Sequence, residues 1–161
     1  MVENQRTFGD EIQLVVFLVG KEEYGLEINQ VQEINRLLPI TRVPRAPSYI
    51  EGVINLRGNV IPVINLHSRL GLGTRTNTAR TRIIVAQVQE IPVGLIVDEV
   101  LGVLYLSSSA IEPPALPGVA ASTAHLLGVG KSEGRLILLL DLASLLNLKE
   151  HGEEASEAGR G

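Results

Sequence analysis

An internal repeat limits the folds that this 161-residue chain can adopt. Residues 24–34 align with residues 93–103 at an offset of 69, and residues 50–66 align with residues 126–142 at an offset of 76. Glycines and aliphatic residues match in both alignments, and the loop 107–125 absorbs the difference between the two offsets. The repeat predicts two related halves that share one compact body, with a binding cleft between them.

Glycine and proline residues interrupt the sequence at short intervals and leave short runs that are rich in β-branched residues. This pattern is typical of small antiparallel barrels or sandwiches, so we predict an all-β fold. Ten strands are predicted, over residues 12–19, 23–28, 31–37, 50–56, 59–65, 82–89, 92–97, 100–106, 126–130 and 135–141.

Two segments also carry a helical spacing of apolar residues. Residues 31–38 place them as on one helix face, which leaves a helix as the alternative to a strand there. Near the end of the chain, Asp141 can cap a turn in which Leu142, Leu145 and Leu146 repeat at helical spacing. We therefore predict a short C-terminal helix.

The folded part is predicted to be a single domain over residues 12–148, in two intertwined halves of approximately 12–80 and 81–148. Residues 1–11 and 149–161 are polar, have little to bury and are expected to be flexible. The N-terminal residues lack the basic start and apolar stretch of a secretory signal, and no aliphatic run approaches the length of a membrane span. We expect a cytoplasmic protein without direct membrane insertion.

Aliphatic side chains are abundant enough to fill a sizeable interior, since Val, Ile and Leu account for 55 of the 161 residues. Aromatic residues make up only 3%, which argues against base-stacking platforms and aromatic sugar sites. Cysteine is absent. Disulfide scaffolds, cysteine nucleophiles and thiolate metal sites are therefore excluded.

Arginine is concentrated in residues 36–82, which carry eight arginines against the single acid Glu51, a net charge of +7. The rest of the chain carries −11. Such polarity favours electrostatically steered docking of a partner, or it describes a solvated loop with scattered arginines. The segment also motivates an alternative function, a nucleic-acid-binding double β-barrel, against which stand the pI of about 5.4 and the scarcity of aromatic residues.

No catalytic or metal-binding constellation stands out. The sequence GVGKS at 128–132 resembles the end of a phosphate-binding loop, but His125 replaces its leading glycine and a strand, not a helix, is predicted to follow. The histidines lie far apart, without a partner at metal-ligand spacing. Asp98 and Glu99 are adjacent acids for which a solvated turn is favoured over an acid/base pair. We expect no catalytic residues, cofactor or metal.

One pair of motifs does point to a family. The sequence VQEI at 31–34 is followed, after a proline-rich connection, by GVINLRGNVIPVINL at 52–66. With FLVGKEEYGLEI at 17–28 and VGLIVDEV at 93–100, these stretches resemble the bacterial chemotaxis coupling protein family, CheW. Its hallmarks are a V-x-E segment and a G-V-x-N-x-R-G-x-x-x-P-V-x-x-L segment, and the resemblance covers about residues 12–148.

The resemblance implies two five-stranded SH3-like β-barrel subdomains with a groove between them. It also implies a non-enzymatic adaptor in chemotaxis signal transduction, acting in the cytoplasm where it is recruited to membrane receptor arrays. The implied partners are the cytoplasmic tip of methyl-accepting chemotaxis receptors and the regulatory domain of the histidine kinase CheA, which shares the double-barrel fold.

The matched residues suggest physical roles. Gly52 and Gly58 suit a bulge or a tight hairpin, where a side chain would strain the backbone. Arg57 offers five donors and a permanent charge, so it suits a bidentate partner such as Glu33. Whether that pair is internal scaffolding or part of the docking surface stays open.

Three valines complete the predicted partner-binding set with Glu33 and Arg57. Val31, Val100 and Val103 match family positions that could line the groove and present apolar area to a receptor helix hairpin. Core packing is the alternative for each of them.

Overall fold

The computed structural model describes residues 11–114 and 125–146, which form eleven strands, two short α-helices and two 3-10 turns. The strands are β1 (Glu11–Val19), β2 (Glu22–Glu27), β3 (Val31–Arg36), β4 (Ile50–Leu56), β5 (Asn59–Asn65), β6 (Arg82–Val88), β7 (Ile91–Val97), β8 (Glu99–Ser107), β9 (Ile111–Glu112), β10 (Leu126–Ser132) and β11 (Arg135–Leu140). The helices are α1 (Leu66–Arg69) and α2 (Leu142–Leu145), and the 3-10 turns span Ile28–Gln30 and Ser108–Ala110.

All ten predicted strands are present, and the all-β class is confirmed. The helical alternative for 31–38 is wrong, because β3 pairs along its length with β6. The predicted C-terminal helix is α2, and the Asp141 carboxylate caps it by accepting a hydrogen bond from the Ser144 amide at 3.3 Å. Helix α1 and the two-residue β9 were not predicted. Of the termini predicted to be flexible, 149–161 and 1–10 lie outside the described residues, whereas Glu11 already belongs to β1.

The strands form two sheets. Sheet A has the order β8-β1-β2-β11-β10-β9, and sheet B has the order β3-β6-β7-β5-β4. The sheets therefore do not follow the expected halves 12–80 and 81–148, since β1 and β2 belong with the C-terminal strands. Alignment of a repeat shows which segments are equivalent, but not which copy supplies each strand's partner. Here the chain crosses from one sheet to the other at Ile28–Gln30 and again at the single residue Asp98.

The repeat itself is confirmed by the register of the ladders. In sheet B, β5 and β7 run parallel with Val63 opposite Gly94, and in sheet A, β11 and β2 run parallel with Leu139 opposite Gly25. These pairs are related by the offsets of 69 and 76 found in the sequence. The register shift before Gly52 in sheet B also recurs before Gly128 in sheet A. Each sheet is thus one structural copy that takes strands from both sequence copies of the repeat.

Three hydrophobic clusters stabilise this arrangement. The two smaller clusters lie within single sheets, one centred on residues such as Ile54 and Ile96 and the other on Leu14 and Val16. The largest, which we call the central cluster, combines residues of both sheets, from Phe17 in β1 to Leu95 in β7, with leucines of α1 and α2. This cluster fills the space between the sheets. A groove between the two sheets is therefore limited to the protein surface along the line where they meet.

Candidate docking site around Glu33 and Arg57

The tip of the β4–β5 hairpin presents Arg57 to solvent. Arg57 and Gly58 both have positive φ values, 52° and 85°, as two-residue hairpin turns with the right twist require. The Asn55 side chain steadies the turn, because its Oδ1 accepts a hydrogen bond from the Gly58 amide at 3.0 Å. The Arg57 side chain is 70% exposed. The turn therefore exposes a permanent positive charge to solvent.

The guanidinium of Arg57 donates from Nη2 to Oε2 of Glu33 on β3, so the predicted pair is present. The other carboxylate oxygen of Glu33 accepts a hydrogen bond from Nδ2 of Asn35 at 3.2 Å. Strands β3 and β4 are the two edges of sheet B, and the ion pair connects β3 to the turn that follows β4. An exposed pair of this kind adds at most about 1 kcal/mol to stability, so it leaves Arg57 available to a partner.

The three predicted valines divide into two groups. Val31 in β3 and Val100 in β8 are half-buried and pack against the central cluster. Each therefore contributes to the core and also keeps part of its side chain exposed. Val103 is 50% exposed. Leu101 and Tyr105, two residues before and after it in β8, are also exposed. We call Leu101, Val103 and Tyr105 the β8 strip.

The two predicted glycines lie where a side chain would strain the fold. Gly52 has a φ of 155°, and a Cβ atom there would lie 2.3 Å from the carbonyl oxygen of Thr41. Thr41 and Val53 form a bridge that brings the two backbones together. Gly58 needs its positive φ for the hairpin but has open space around it. Gly52 is thus a packing requirement and Gly58 a conformational one.

Most arginines of the basic segment have partners inside the protein. Arg75 pairs with Glu51 at 3.4 Å and Arg80 approaches Glu99 at 3.9 Å. Arg69 donates from Nε to the Leu145 carbonyl at 2.7 Å and stacks on the Tyr49 ring, thereby connecting α1 to α2. These contacts engage part of the charge of the segment, whereas the Arg57 and Arg80 side chains stay 70% and 76% exposed.

Asp98 is the main functional candidate that sequence reasoning missed. It was expected in a solvated turn, but its Oδ2 accepts hydrogen bonds from the Gly20 amide at 2.7 Å and from Nε2 of the buried His67 at 2.8 Å. A histidine one residue into α1 and an aspartate at the end of β7 gave no local pattern. The repeat alignment gives the one available signal: His67 aligns with Ala143, and Asp98 aligns with Asn29. The pair is therefore present in one copy of the repeat and absent from the other.

The described residues contain neither a cluster of metal ligands nor a phosphate-binding loop. No three His, Asp or Glu side chains among them are grouped as metal ligands would be. The GVGKS sequence lies within β10 and leads through a turn into β11, as predicted, and not into a helix. No helix within residues 11–114 and 125–146 has the length and apolar character needed to cross a membrane. Two joined β-sheets with an exposed ion pair and an exposed apolar strip define a protein-binding module.

Comparison with known proteins assigns the family. Residues 13–150 match the family model described as CheW-like domain. The chain is 41% identical over 140 residues to the chemotaxis protein CheW of Rhizobium meliloti, covering 86% of this chain and 89% of that protein. It is 41% identical over 143 residues to CheW of Bacillus subtilis, covering 88% and 90% respectively.

A solved structure agrees. The scaffolding protein TtCheW from Thermoanaerobacter tengcongensis superposes with a TM-score of 0.75 at 40% identity, covering 80% of this chain and 88% of that one. The chain belongs to the CheW family. It is a scaffold, or adaptor, protein of bacterial chemotaxis, and its two sheets are the two SH3-like subdomains of that family.

Proposed function

We propose that this protein joins the cytoplasmic tip of methyl-accepting chemotaxis receptors to the regulatory domain of the histidine kinase CheA, and that Glu33 and Arg57 form part of the docking surface. The observation that carries the proposal is the exposed Arg57–Glu33 pair at the hairpin tip of sheet B. The pair occupies the two motifs that identify the family. We therefore also propose that it acts in the cytoplasm, at membrane receptor arrays.

The charge pair can exchange partners at little cost. Arg57 presents five N–H donors, and the contact with Glu33 uses Nη2 alone. An acidic partner residue could take the remaining donors in bidentate geometry while Glu33 keeps the guanidinium oriented. Pairs of this kind contribute to the orientation and rate of docking more than to the stability of the fold.

Apolar contacts add to this charged anchor. Val31 and Val100 occupy equivalent positions of the repeat and pack against the central cluster between the sheets. Val103 is half exposed on β8. Half-buried valines are already ordered by the central cluster, so a partner helix that covers them costs little side-chain entropy. We assign these three valines to the same docking surface.

The test is Arg57→Glu in a reconstituted mixture of receptor fragment, CheA and this protein. The substitution places two carboxylates side by side and reverses the charge that faces an acidic partner. Since about 1.4 kcal/mol weakens binding tenfold, we expect receptor-dependent stimulation of CheA autophosphorylation to be largely lost. Glu133→Arg is the matched control, because Glu133 holds the equivalent place in the β10–β11 turn with a φ of 50°.

Circular dichroism and thermal melting of both variants separate docking from folding. A folded Arg57→Glu protein that fails to couple, beside a Glu133→Arg protein that couples, supports the docking role. Unaltered coupling by Arg57→Glu would contradict it. The double change Glu33→Arg with Arg57→Glu restores opposite charges, and recovery of coupling would show that the pair acts as a unit.

We also propose that the protein acts without catalysis of its own. Support comes from its family and from the strand conformation of the GVGKS segment. Ligands that bind the native state raise the melting temperature, so added nucleotide or divalent metal is expected to leave it unchanged. A nucleotide-dependent rise of several degrees would contradict this.

A further inference from the structure

The two points at which the chain crosses between the sheets are built differently. After β7, the crossing is the single residue Asp98, whose amide donates to the carbonyl of Leu18 in β1 at 2.9 Å. After β2, the equivalent crossing is the 3-10 turn Ile28–Gln30. Asn29, at the position of Asp98 in the repeat, makes no side-chain hydrogen bond within the described residues.

The Asp98 carboxylate connects the two sheets. Its Oδ2 accepts from the amide of Gly20, which lies in the β1–β2 turn of sheet A. It also accepts from Nε2 of His67, which lies in α1 directly after β5 of sheet B. Both carboxylate oxygens lie within 3.1 Å of that ring nitrogen. One side chain thus fixes an element of each sheet at the residue where the backbone passes between them.

His67 is committed to this contact. Its side chain is only 9% exposed, and a carboxylate can only accept, so Nε2 carries the hydrogen. Its Nδ1 is buried without a partner among the described residues. The buried ring is thus held by the contact of its Nε2 with Asp98.

Strand β8 begins at the residue after Asp98. It is an edge strand, held on one side by β1, and the register with β1 shifts between Val16 and Phe17, close to Val100. The ladder with β1 holds β8 in sheet A, and Asp98 adds a side-chain contact that ties the start of β8, next to this register shift, to α1 and sheet B. The position of Asp98 therefore sets where Val100 and Val103 lie relative to sheet B.

We propose that Asp98, held by His67 and the Gly20 amide, is a positioning residue that fixes the start of β8 and so aligns Val100 and Val103 with the Glu33–Arg57 pair. This inference rests on the proposed receptor-docking function. Asp98 and His67 do not themselves touch the partner. They hold the β8 valines of sheet A and the Glu33–Arg57 pair of sheet B in a fixed relative position, so that one partner can contact both.

The test compares His67→Ala, Asp98→Ala and Asn29→Ala in the full chain. We expect the first two to accelerate amide hydrogen exchange in the first half of β8, relative to β3, and to weaken binding of a receptor cytoplasmic fragment about tenfold, the effect of losing one charge-assisted hydrogen bond. His67→Gln restores a side-chain N–H donor and is expected to recover both. Asn29→Ala, at the equivalent crossing, is expected to change neither.

The exchange pattern and the binding of each variant distinguish the possible roles of Asp98. Faster exchange confined to β8, with weaker binding and rescue by His67→Gln, supports the inference. Exchange that rises uniformly in both sheets assigns the contact to general stability and overturns it, as does unchanged exchange in β8. If Asp98→Ala does not fold cooperatively, Asp98→Asn keeps the size of the side chain and an acceptor for Gly20, and the same pattern is expected at smaller amplitude. Absence of binding by the unaltered chain would refute the proposed docking function instead, while the exchange data would still decide the role of Asp98.

Discussion

Sheets A and B share one backbone plan but carry opposite chemistry on their equivalent edge strands. In β3 of sheet B, Gln32, Glu33 and Arg36 give a charged and polar edge, and in β8 of sheet A the equivalent positions are Leu101, Gly102 and Tyr105. Exposed edge strands are usually protected by charge, and only β3 follows that rule. The difference teaches that the duplicated fold supplies the same geometry twice, with a charged edge on sheet B and an apolar edge on sheet A.

The hairpin tips show the same division. Arg57-Gly58 and Glu133-Gly134 occupy equivalent turns, with φ values of 52° and 85° in the first and 50° and 79° in the second. The backbone is therefore the same, but the charge at the tip is reversed. Within residues 11–114 and 125–146, an ion pair is seen at the tip of sheet B, between Arg57 and Glu33, and none at the Glu133 tip.

The largest expected difference between the sheets concerns the glycines of their equivalent bulges. A Cβ at Gly52 would lie 2.3 Å from the backbone oxygen of Thr41, whereas a Cβ at Gly128 would lie 2.8 Å from the Ile111 side chain and 3.0 Å from the backbone oxygen of Glu112. Backbone cannot move aside as a methyl group can. Gly52→Ala is expected to cost about 3 kcal/mol and Gly128→Ala about 1 kcal/mol, measured by urea denaturation.

Equal costs at the two glycines would break this comparison. They would mean that Thr41 is displaced as easily as the Ile111 side chain. Gly134→Ala is a useful reference, since a Cβ there has open space and only its φ of 79° is unfavourable.

A smaller difference is expected at the caps of the two short helices. Asn65 caps α1 through Oδ1, which accepts from the Ser68 amide at 3.1 Å, while its Nδ2 donates to Glu51 at 3.1 Å. Asp141 caps α2. Asn65→Asp keeps the cap but sets a carboxylate against Glu51, so a loss of about 1 kcal/mol is expected, whereas Asp141→Asn is expected to stay within about 0.5 kcal/mol. Denaturant midpoints of the two variants give the comparison, and a reversed order would show that Glu51 is not confined to its present position.

The smallest expected effect appears only in alkaline solution. Burial, with a contribution from Glu22, raises the pKa of Tyr24 above its ordinary value of 10.0, and the equivalent residue in the other copy is Val93. The native state then keeps a proton that the unfolded chain loses, so stability falls as the pH rises through about 10. Tyr24→Phe is expected to flatten this decline in melting experiments between pH 9 and pH 11. An equally steep decline in that variant would point to another group.

The strands were predictable because glycine and proline bound each short apolar run, and the repeat offsets followed from matching glycines. Helix α1 could have been found by applying the Asp141 argument to Asn65, which stands at the aligned position. The Glu33–Arg57 contact was predicted from residue chemistry and the family motifs. The exchange of strands between sheets was not predictable, because hydrophobic periodicity records which face of a strand is buried and not which strand lies beside it. Strand β9 is too short to leave any pattern.

The exchanged strands have a consequence for synthesis of the chain on the ribosome. Sheet B is contiguous, and all its strands are available once residue 97 has emerged. Sheet A needs β11, because Leu138 pairs with Tyr24 and Leu139 with Gly25. Strand β1 gains its second neighbour, β8, once residue 107 has emerged, whereas β2 has only β1 beside it until β11 is complete at residue 140. Strand β2 is therefore made before every strand of sheet B but gains its second neighbour after all of them, so its unpaired edge is the one exposed longest to aggregation.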